Sequence, residues 1–291
     1  MRILIIGKDS YIGNHIDEWL VKHGHTVTQL DVLTDVWKSF DYAQYDALVH
    51  VAGIVHRPHC DDWDLYKSVN CDMPIAIASM AKSQGVKTYV YFSTMGVYKA
   101  MKSLKGCVID NNTPLLCEGN SMYGKSKLMA EQGLSLLQEE NFNITFIRPP
   151  SVYGKDCKGG YITGFAMIAK VLPVIPLAYQ SACQSFIYID NLAECVRYII
   201  EKQLSGVFCP QDDEIPCANR LFEVICNAFG KTYKASKFLG ICMRLFSFIP
   251  LVNKAYGGVS YARELSNSHG FEYVIVPFEK GMKRTLTNCN E

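Results

Sequence analysis

The chain has 291 residues, of which 49% are hydrophobic and 20% are charged, and its formal net charge is +1. This length fits one large α/β domain, or such a domain with a smaller lobe, and the near-neutral charge argues against nucleic acid as the main partner, because nucleic-acid binding needs a basic surface. The sequence has no apolar run long enough to cross a bilayer and no signal peptide, and its twelve cysteines lack metal-ligand spacing, so we expect a cytoplasmic protein with reduced thiols and no metal site.

Short apolar runs alternate with segments of helical periodicity through the first half of the chain. The predicted strands cover residues 2–6, 26–30, 47–51, 88–92 and 144–147, and the predicted helices run from about 12 to 24, from 65 to 83 and from 123 to about 139. We expect Gly24 to end the first helix and Pro74 to kink the second. This alternation predicts an α/β fold with a doubly wound parallel sheet, which binds ligands beyond the carboxyl ends of its strands.

A glycine-bounded turn joins the first strand to the first helix. Gly7 permits a tight turn, and Gly13 lets the helix pack close to the sheet, so that free N–H groups at the helix N-terminus face a pyrophosphate. Ser10 replaces the usual middle glycine, and we expect its hydroxyl to bond a phosphate. Asp31, after the second strand, accepts bonds from ribose hydroxyls and repels a 2′-phosphate, which favours NAD(H) over NADP(H). The alternative is an ordinary turn, with Asp31 as a strand-end cap. The other cofactor contacts predicted in this region are Tyr11, Ile12 and Val32.

Tyr123 and Lys127 are four residues apart, so on a helix they share one face. A cation beside a phenol lowers its pKa from about 10 toward neutrality, and we therefore predict that Tyr123 is an acid/base that moves a proton at a sugar hydroxyl. Thr94, which follows the fourth strand, is predicted to orient the same hydroxyl. The alternative is a solvated helix pair, with Thr94 as a buried strand-end hydroxyl.

The second half of the chain is less regular. Its predicted helices cover residues 161–171, 191–202, 219–229 and 237–248, and its predicted strands cover 185–189 and 207–209. We predict a Rossmann domain of residues 1–152 plus about 184–204, and a smaller C-terminal substrate lobe of about 153–183 and 205–291.

In its ordered set of motifs, the chain resembles the extended short-chain dehydrogenases/reductases, specifically the NAD-dependent epimerase/dehydratase family of nucleotide-sugar enzymes. The resemblance covers essentially the whole length. The residues that carry it are Gly7 with Gly13, Asp31, residues 50–53, Val69-Asn70, residues 92–98, Tyr123 with Lys127, residues 148–154 and residues 186–190.

The resemblance implies that NAD is the cofactor and assigns roles to the matching positions. Thr94 would hold the substrate hydroxyl, Tyr123 would be the acid/base, and Lys127 would bind the nicotinamide ribose. The further cofactor contacts would be Ala52, Gly53, Asn70, Ser93 and Pro149. A homodimer is also implied, in which the helix of Tyr123 and the 65–83 helix pack into a four-helix bundle.

The predicted substrate contacts are His56, Thr94, Ser151, Lys155 and Gln184. Gln184 stands where many relatives carry an arginine that clamps the nucleotide phosphates, so Lys155, Lys158 or the basic C-terminal segment is expected to take over part of that task. Dehydratases of the family carry an acid pair just after the position of Thr94. Met95 and Gly96 stand there and cannot transfer a proton, so we do not expect 4,6-dehydration.

These features favour a C4 epimerase that acts on a UDP-hexose through a 4-keto intermediate. A 4-ketoreductase would need the same three side chains, and a protein that senses NAD(H) without turnover is a third hypothesis from a different class.

One segment, from Val224 to Arg263, contains no Asp or Glu. Its cations are Lys231, Lys234, Lys237, Arg244, Lys254 and Arg263, and its apolar runs cover residues 238–243 and 245–251. The interpretation that we favour is a core helix of the substrate lobe with a cationic wall toward a nucleotide diphosphate. The other is a surface that docks on anionic membrane and reaches a lipid-linked sugar.

Overall fold

The structure is a computed structural model that describes residues 1–55, 62–116, 121–157, 160–172, 174–267 and 270–287. The strands are β1 (Arg2–Ile6), β2 (Thr26–Leu30), β3 (Ala47–His50), β4 (Thr88–Phe92), β5 (Val108–Ile109), β6 (Asn143–Ile147), β7 (Ser151–Tyr153), β8 (Ile175–Pro176), β9 (Phe186–Tyr188), β10 (Gly206–Phe208), β11 (Ala235–Ser236) and β12 (Ser260–Tyr261). The helices are α1 (Tyr11–Lys22), α2 (Trp63–Lys67), α3 (Met73–Ser83), α4 (Met122–Ser135), α5 (Tyr161–Val171), α6 (Ile189–Glu201), α7 (Ala218–Ala228), α8 (Lys237–Leu245), α9 (Pro250–Tyr256), α10 (Arg263–Ser266) and α11 (Phe278–Thr287).

Six of these strands form one parallel sheet in the order β10-β6-β4-β3-β1-β2. Every residue of β3 and β4 is buried, which is typical of parallel strands covered on both faces. The predicted α/β fold with a doubly wound parallel sheet is therefore confirmed. The order in which successive strands are added reverses between β1 and β3, and the carboxyl ends at that point form the crevice in which such sheets bind ligands.

Alternate side chains of β1 pack into two different cores, one on each face of the sheet. Ile3 and Ile5 belong to a cluster with α1 and α6, whereas Leu4 and Ile6 belong to a cluster with α3 and α4. This division follows from the two-residue period of a strand. The two layers of helices therefore hold the carboxyl edge of the sheet from both sides.

The segment from 63 to 83 differs from the single kinked helix that its sequence predicts. It consists of α2, a wider π-helical turn over Ser68–Asp72, and α3. Pro74 lies in the first turn of α3, directly after the π turn. The irregularity lies instead in the π turn, which contains the buried Asn70.

Strand β10 extends the main sheet at its β6 edge. Residues 206–208 therefore belong to the sheet, although the division proposed from the sequence assigned them to the substrate lobe.

The acid-free segment does not form the core helix that we favoured. In α8 only Gly240 is buried, and the apolar side chains Phe238 and Ile241 are 73% and 63% exposed. The helix also ends at Leu245 rather than at 248. Within the described ranges, no helix has the length and apolarity needed to cross a bilayer.

A buried ion pair links α4 to the end of β6. Arg148 Nη2 and Nε lie 2.5 and 3.0 Å from the two carboxylate oxygens of Glu131, and Arg148 Nη1 donates to the Tyr98 hydroxyl at 2.8 Å. Both charged side chains are almost fully buried. The hydrogen-bonding groups of the pair are well satisfied as long as both residues are present. The pair matters for function because α4 carries residues of the candidate site.

We expect Glu131→Ala to lower the free energy of unfolding by about 3–5 kcal/mol, because it leaves the Arg148 guanidinium buried without its counter-ion. The control is Asp35→Ala, which removes the partner of Lys38 in an exposed pair and should change stability by less than about 1 kcal/mol. Urea denaturation measures both. Equal losses for the two variants would show that the buried pair does not hold α4 to the sheet.

Candidate active site

The first turn of α4 is fixed against the loop that follows β4. Ser121 caps the helix by accepting a hydrogen bond from the Gly124 N–H at 3.3 Å. Gly124 lies so close to Gly96 that a Cβ at position 124 would collide with the Gly96 carbonyl oxygen. This approach brings Tyr123, at the second position of the helix, to Thr94.

The Tyr123 hydroxyl lies close enough to the Thr94 side chain for the two to interact. Thr94 Oγ1 also accepts from the Gly96 N–H at 3.1 Å, and the next residue, Met95, donates its N–H to the Pro149 carbonyl at 3.0 Å. Thr94 is thus fixed by its own turn and by the end of β6. The hydroxyls of Thr94 and Tyr123 therefore lie close together in one cavity, an arrangement that suits the binding of a single substrate oxygen.

Lys127 is 3% exposed and lines the same cavity as Thr94 and Tyr123. Its Nζ donates to the Phe92 carbonyl at 2.8 Å and lies 4.5 Å from the centroid of the Tyr91 ring. Burial lowers the pKa of Lys127 to about 7, although the nearby Glu131 acts in the opposite direction. This ammonium group can therefore gain or lose its proton near neutral pH.

The prediction that Lys127 lowers the pKa of Tyr123 is wrong for this structure. Burial raises the pKa of Tyr123 to about 12, and the interaction with Thr94 lowers it only in part. The ammonium is directed toward the Phe92 carbonyl and the Tyr91 ring, and burial lowers its own pKa instead. Tyr123 is consequently a neutral phenol that can donate a proton.

Asn70 supports this arrangement from the π turn. Its Oδ1 accepts from the Ile54 N–H at 2.8 Å, and its Nδ2 donates to the Ile54 carbonyl at 2.9 Å and to Ser126 Oγ at 3.1 Å. Ser126 Oγ in turn donates to the Tyr123 carbonyl at 2.9 Å. Both N–H groups of the Asn70 side chain are thus used by protein atoms, so Asn70 positions α4, and its contact with the cofactor stays a prediction.

The glycine turn has the geometry that a dinucleotide needs. Gly7 has φ of 120°, and a Cβ there would lie 2.8 Å from the Ala52 nitrogen. Ser10 caps α1 by accepting from the Gly13 N–H at 3.1 Å, and a Cβ on Gly13 would lie 2.5 Å from the Ser10 oxygen. The Ser10 hydroxyl proton is still available to donate to a phosphate, and the first N–H groups of α1 have no partner within the helix.

Three further cofactor positions surround this turn. Asp31 is exposed, and one of its carboxylate oxygens accepts from the Leu33 N–H at 2.8 Å. Among the residues that the structure describes, the other oxygen has no hydrogen-bond partner, so it is available to accept from a ribose hydroxyl. The Tyr11 hydroxyl is buried against Gly154 and has no hydrogen-bond partner among the described residues, and Val32 packs against the core on the α3 side.

A cavity of about 170 Å³ opens at the carboxyl edge of the sheet. The predicted residues that line it are Ile12, Gly53, Ser93, Thr94, Tyr123, Lys127 and Pro149. The Ser93 hydroxyl is buried without a hydrogen-bond partner among the described residues, so a polar group of a bound molecule would satisfy it. Gly53 is needed here, because a Cβ would lie 3.0 Å from Lys127 Nζ and 2.9 Å from Asn70 Oδ1. These features fit NAD.

The predicted substrate contacts are only partly brought together. Gln184 Nε2 lies 3.3 Å from Ser151 Oγ, and the Gln184 Oε1 is buried without a described partner. Lys155 is exposed. His56 and Lys158 lie outside the described residues.

Sequence reasoning missed several residues of the site. Tyr66 donates its hydroxyl to the Val55 carbonyl at 3.1 Å and is close enough to Tyr123 to raise the pKa of that phenol. The missed apolar lining is Val51, Val55, Phe92, Pro150 and Val152. The usable signal was position alone, because four of these five lie at or just beyond the carboxyl end of β3, β4 or β6, and Val152 lies in β7, the next strand after β6.

Comparisons with known proteins show which family and which fold this chain shares. A sequence model described as NAD dependent epimerase/dehydratase family matches residues 3–208. UDP-glucose 4-epimerase from Vibrio cholerae is 27% identical over 239 residues, which are 72% of this chain and 70% of that protein. N-acetyl-alpha-D-glucosaminyl-diphospho-ditrans,octacis-undecaprenol 4-epimerase from Escherichia coli O157:H7 is 24% identical over 223 residues, which are 70% of this chain and 64% of that protein. The solved structure of UDP-glucose 4-epimerase from Thermus thermophilus, a complex with NAD, covers 100% of this chain and 99% of its own with a TM-score of 0.74 and 20% identity, which shows a shared fold.

Burial of Lys127 makes a prediction about pH. Its pKa is about 7 in the fold, against an ordinary value of 10.5, so the unfolded state binds more protons between these values and stability rises with pH. Relative to Lys127→Met, the cofactor-free protein should gain roughly 1–2 kcal/mol in free energy of unfolding from pH 7 to about 8.5.

Lys125→Met is the control, since Lys125 is exposed on the same helix, and it should give a difference that does not vary with pH. Chemical denaturation at several pH values measures the three proteins. A Lys127→Met difference that stays flat over this range would contradict the neutral-pH titration of Lys127.

Proposed function

The chain belongs to the NAD-dependent epimerase/dehydratase family, and from that membership we propose that it is a nucleotide-sugar 4-epimerase acting on a UDP-hexose. The observation that carries the proposal is that Thr94, Tyr123 and Lys127 line one cavity, with the Thr94 side chain close to the Tyr123 hydroxyl. The Vibrio cholerae relative, whose name is UDP-glucose 4-epimerase, supports the choice of substrate class.

NAD, when bound, accepts a hydride from the sugar carbon and can return it. The residues of this chain would act on the oxygen of that carbon. Thr94 Oγ1 and the Tyr123 hydroxyl would hold the C4 oxygen between them, and Tyr123 would take up or donate its proton. A neutral Tyr123 suits donation to a 4-keto oxygen. For the oxidising half of the reaction its pKa must fall, and protonation of Lys127 is the change within this chain that would favour the phenolate.

The loop after Thr94 argues for epimerisation rather than dehydration. Its next two residues are Met95 and Gly96, and neither side chain can transfer a proton. Loss of water from a sugar needs such an acid or base in addition to Tyr123. The site as built therefore supports proton transfer at a single oxygen.

Two alternatives use the same site. A 4-ketoreductase would use Thr94, Tyr123 and Lys127 once, in the reducing direction, and would release NAD⁺. An epimerase on a lipid-linked sugar diphosphate is supported by the Escherichia coli relative, whose name specifies an undecaprenol-linked sugar. The sensing hypothesis is less well supported, because both Tyr123 and Lys127 are in the cavity. The cytoplasmic location and the homodimer stay predictions.

The epimerase proposal predicts turnover without added cofactor. Protein purified without NAD should retain bound NAD(H) and convert UDP-glucose or UDP-N-acetylglucosamine to the C4 epimer, followed by proton NMR. Tyr123→Phe should lower kcat by about 10²–10⁴-fold, because the proton donor is lost. The control Tyr198→Phe, on α6 and outside the cavity lining, should leave kcat unchanged.

Consumption of a 4-keto sugar only when NADH is supplied would favour the reductase instead. Full activity of Tyr123→Phe would rule out the acid/base role on which both reactions depend.

The free carboxylate oxygen of Asp31 predicts cofactor selectivity. The protein should bind NADH at least about tenfold more tightly than NADPH, a difference of about 1.4 kcal/mol, and Asp31→Asn should narrow the gap by removing the negative charge. The control is Asp35→Asn, because it removes a nearby negative charge that lies outside the cofactor positions around the glycine turn. Isothermal titration calorimetry measures the affinities, and tighter binding of NADPH by the unmodified protein would contradict this role for Asp31.

A further inference from the structure

The acid-free segment presents large apolar side chains to solvent. Phe238, Ile241 and Leu245 on α8, and Phe248 and Leu251 beyond it, are each more than 60% exposed. We call these five residues the outer face. Soluble monomers rarely expose a large contiguous apolar patch unless it has a binding role.

The opposite side of α8 anchors it to the lobe. Gly240 packs so closely that a Cβ there would collide with the Leu177 carbonyl oxygen, and Met243 packs against the main core. Ser236 caps the helix by accepting from the Leu239 N–H at 3.2 Å, and its carbonyl accepts from the Leu177 N–H at 3.0 Å. The helix is therefore held in place by the side that faces the protein.

The spacing of the apolar residues on α8 shows that their exposure follows from how the helix is placed in the fold. Phe238, Ile241 and Leu245 are three and four residues apart, which puts them on one side of the helix, away from Gly240 and Met243. Phe246 and Phe248 continue the apolar surface through the turn before α9, with ring centroids 6.3 Å apart. The apolar surface therefore extends beyond a single helix.

Charge identifies what can cover this surface. Lys237 and Arg244 are exposed on α8, Lys254 lies on α9, and no acidic residue occurs from Val224 to Arg263. Among the residues that the structure describes, none of these three cations takes part in an ion pair. A symmetric contact with a second copy would bring the same cations together and would be repulsive, whereas a surface of anionic headgroups is complementary to them.

We propose that the outer face docks on the surface of an anionic lipid bilayer. Its aromatic and aliphatic side chains enter the interfacial region, and Lys237, Arg244 and Lys254 contact lipid phosphates at its edge. The contact is peripheral. It does not depend on the reaction proposed above, because it needs only the exposed segment and its charge.

The test is co-sedimentation of the full chain with vesicles at low salt. Vesicles of equal parts phosphatidylcholine and phosphatidylglycerol should bind the protein, and vesicles of phosphatidylcholine alone should bind it much less. Phe238→Ser with Phe248→Ser should lower the partition coefficient at least about tenfold, because two aromatic anchors are lost from the bilayer interface. The matched control is Leu136→Ser, at a side chain that is 85% exposed outside this segment, and it should bind like the unmodified protein.

A second variant tests the electrostatic part. Lys237→Glu with Arg244→Glu leaves the outer face intact and should abolish the preference for anionic vesicles, whereas Lys202→Glu with Lys283→Glu should not. The proposal is overturned by absence of binding at low salt, by equal binding to neutral vesicles, or by unchanged binding of the double phenylalanine variant. It is also overturned if light scattering shows a dimer that the phenylalanine changes dissociate, because a second copy would then cover the face.

Discussion

The candidate site depends on one buried cation, the ammonium of Lys127. The Phe92 carbonyl, at the end of a central strand, accepts its hydrogen bond, the Tyr91 ring lies against it, and Gly53 leaves the space that its Nζ needs. Desolvation opposes the charge, and these contacts only partly offset it. The balance leaves the group near its titration point, which an exposed lysine would not reach. The chemistry of the neighbouring phenol therefore depends on where this side chain lies.

Gly96, Gly124 and the N-terminal cap of α4 determine whether the Tyr123 side chain reaches Thr94 and the surroundings of Lys127. The backbone contact of Gly124 with Gly96 sets the distance between α4 and the loop after β4, and Asn70 fixes the rotation of α4 through Ser126. The hydroxyls of Tyr123 and Thr94 meet because of these constraints. Close contacts between backbone segments therefore set most of the geometry of the site. The side chains of Thr94, Tyr123 and Lys127 supply its chemistry.

Local rules were sufficient to predict the sheet and much of the cavity. Strands that end in Gly7, Ala52 or Thr94 can be recognised from apolar runs and their stops, and parallel connectivity then brings those ends to one edge. The pKa of Tyr123 could not be predicted in this way, because the direction of the Lys127 side chain depends on strands far away in sequence. The same is true of residues 206–208, which are too short a run to be assigned to the sheet without their partner strand. For the acid-free segment, hydrophobicity indicated burial, but a helix anchored through Gly240 turns its larger side chains outward.

The π turn before α3 limits the changes in length that this part of the chain can tolerate. A turn of this kind contains one more residue than an ordinary helical turn, and each residue rotates a helix by about 100°. Shortening the segment by one residue would restore regular winding, yet it would swing Asn70 away from Ile54 or turn Ile77 and Ala81 out of the core. Point replacements on the solvent side would be tolerated far better than a change in length. The spacing between Tyr66 and Pro74 is accordingly a stricter requirement than the identity of most side chains within it.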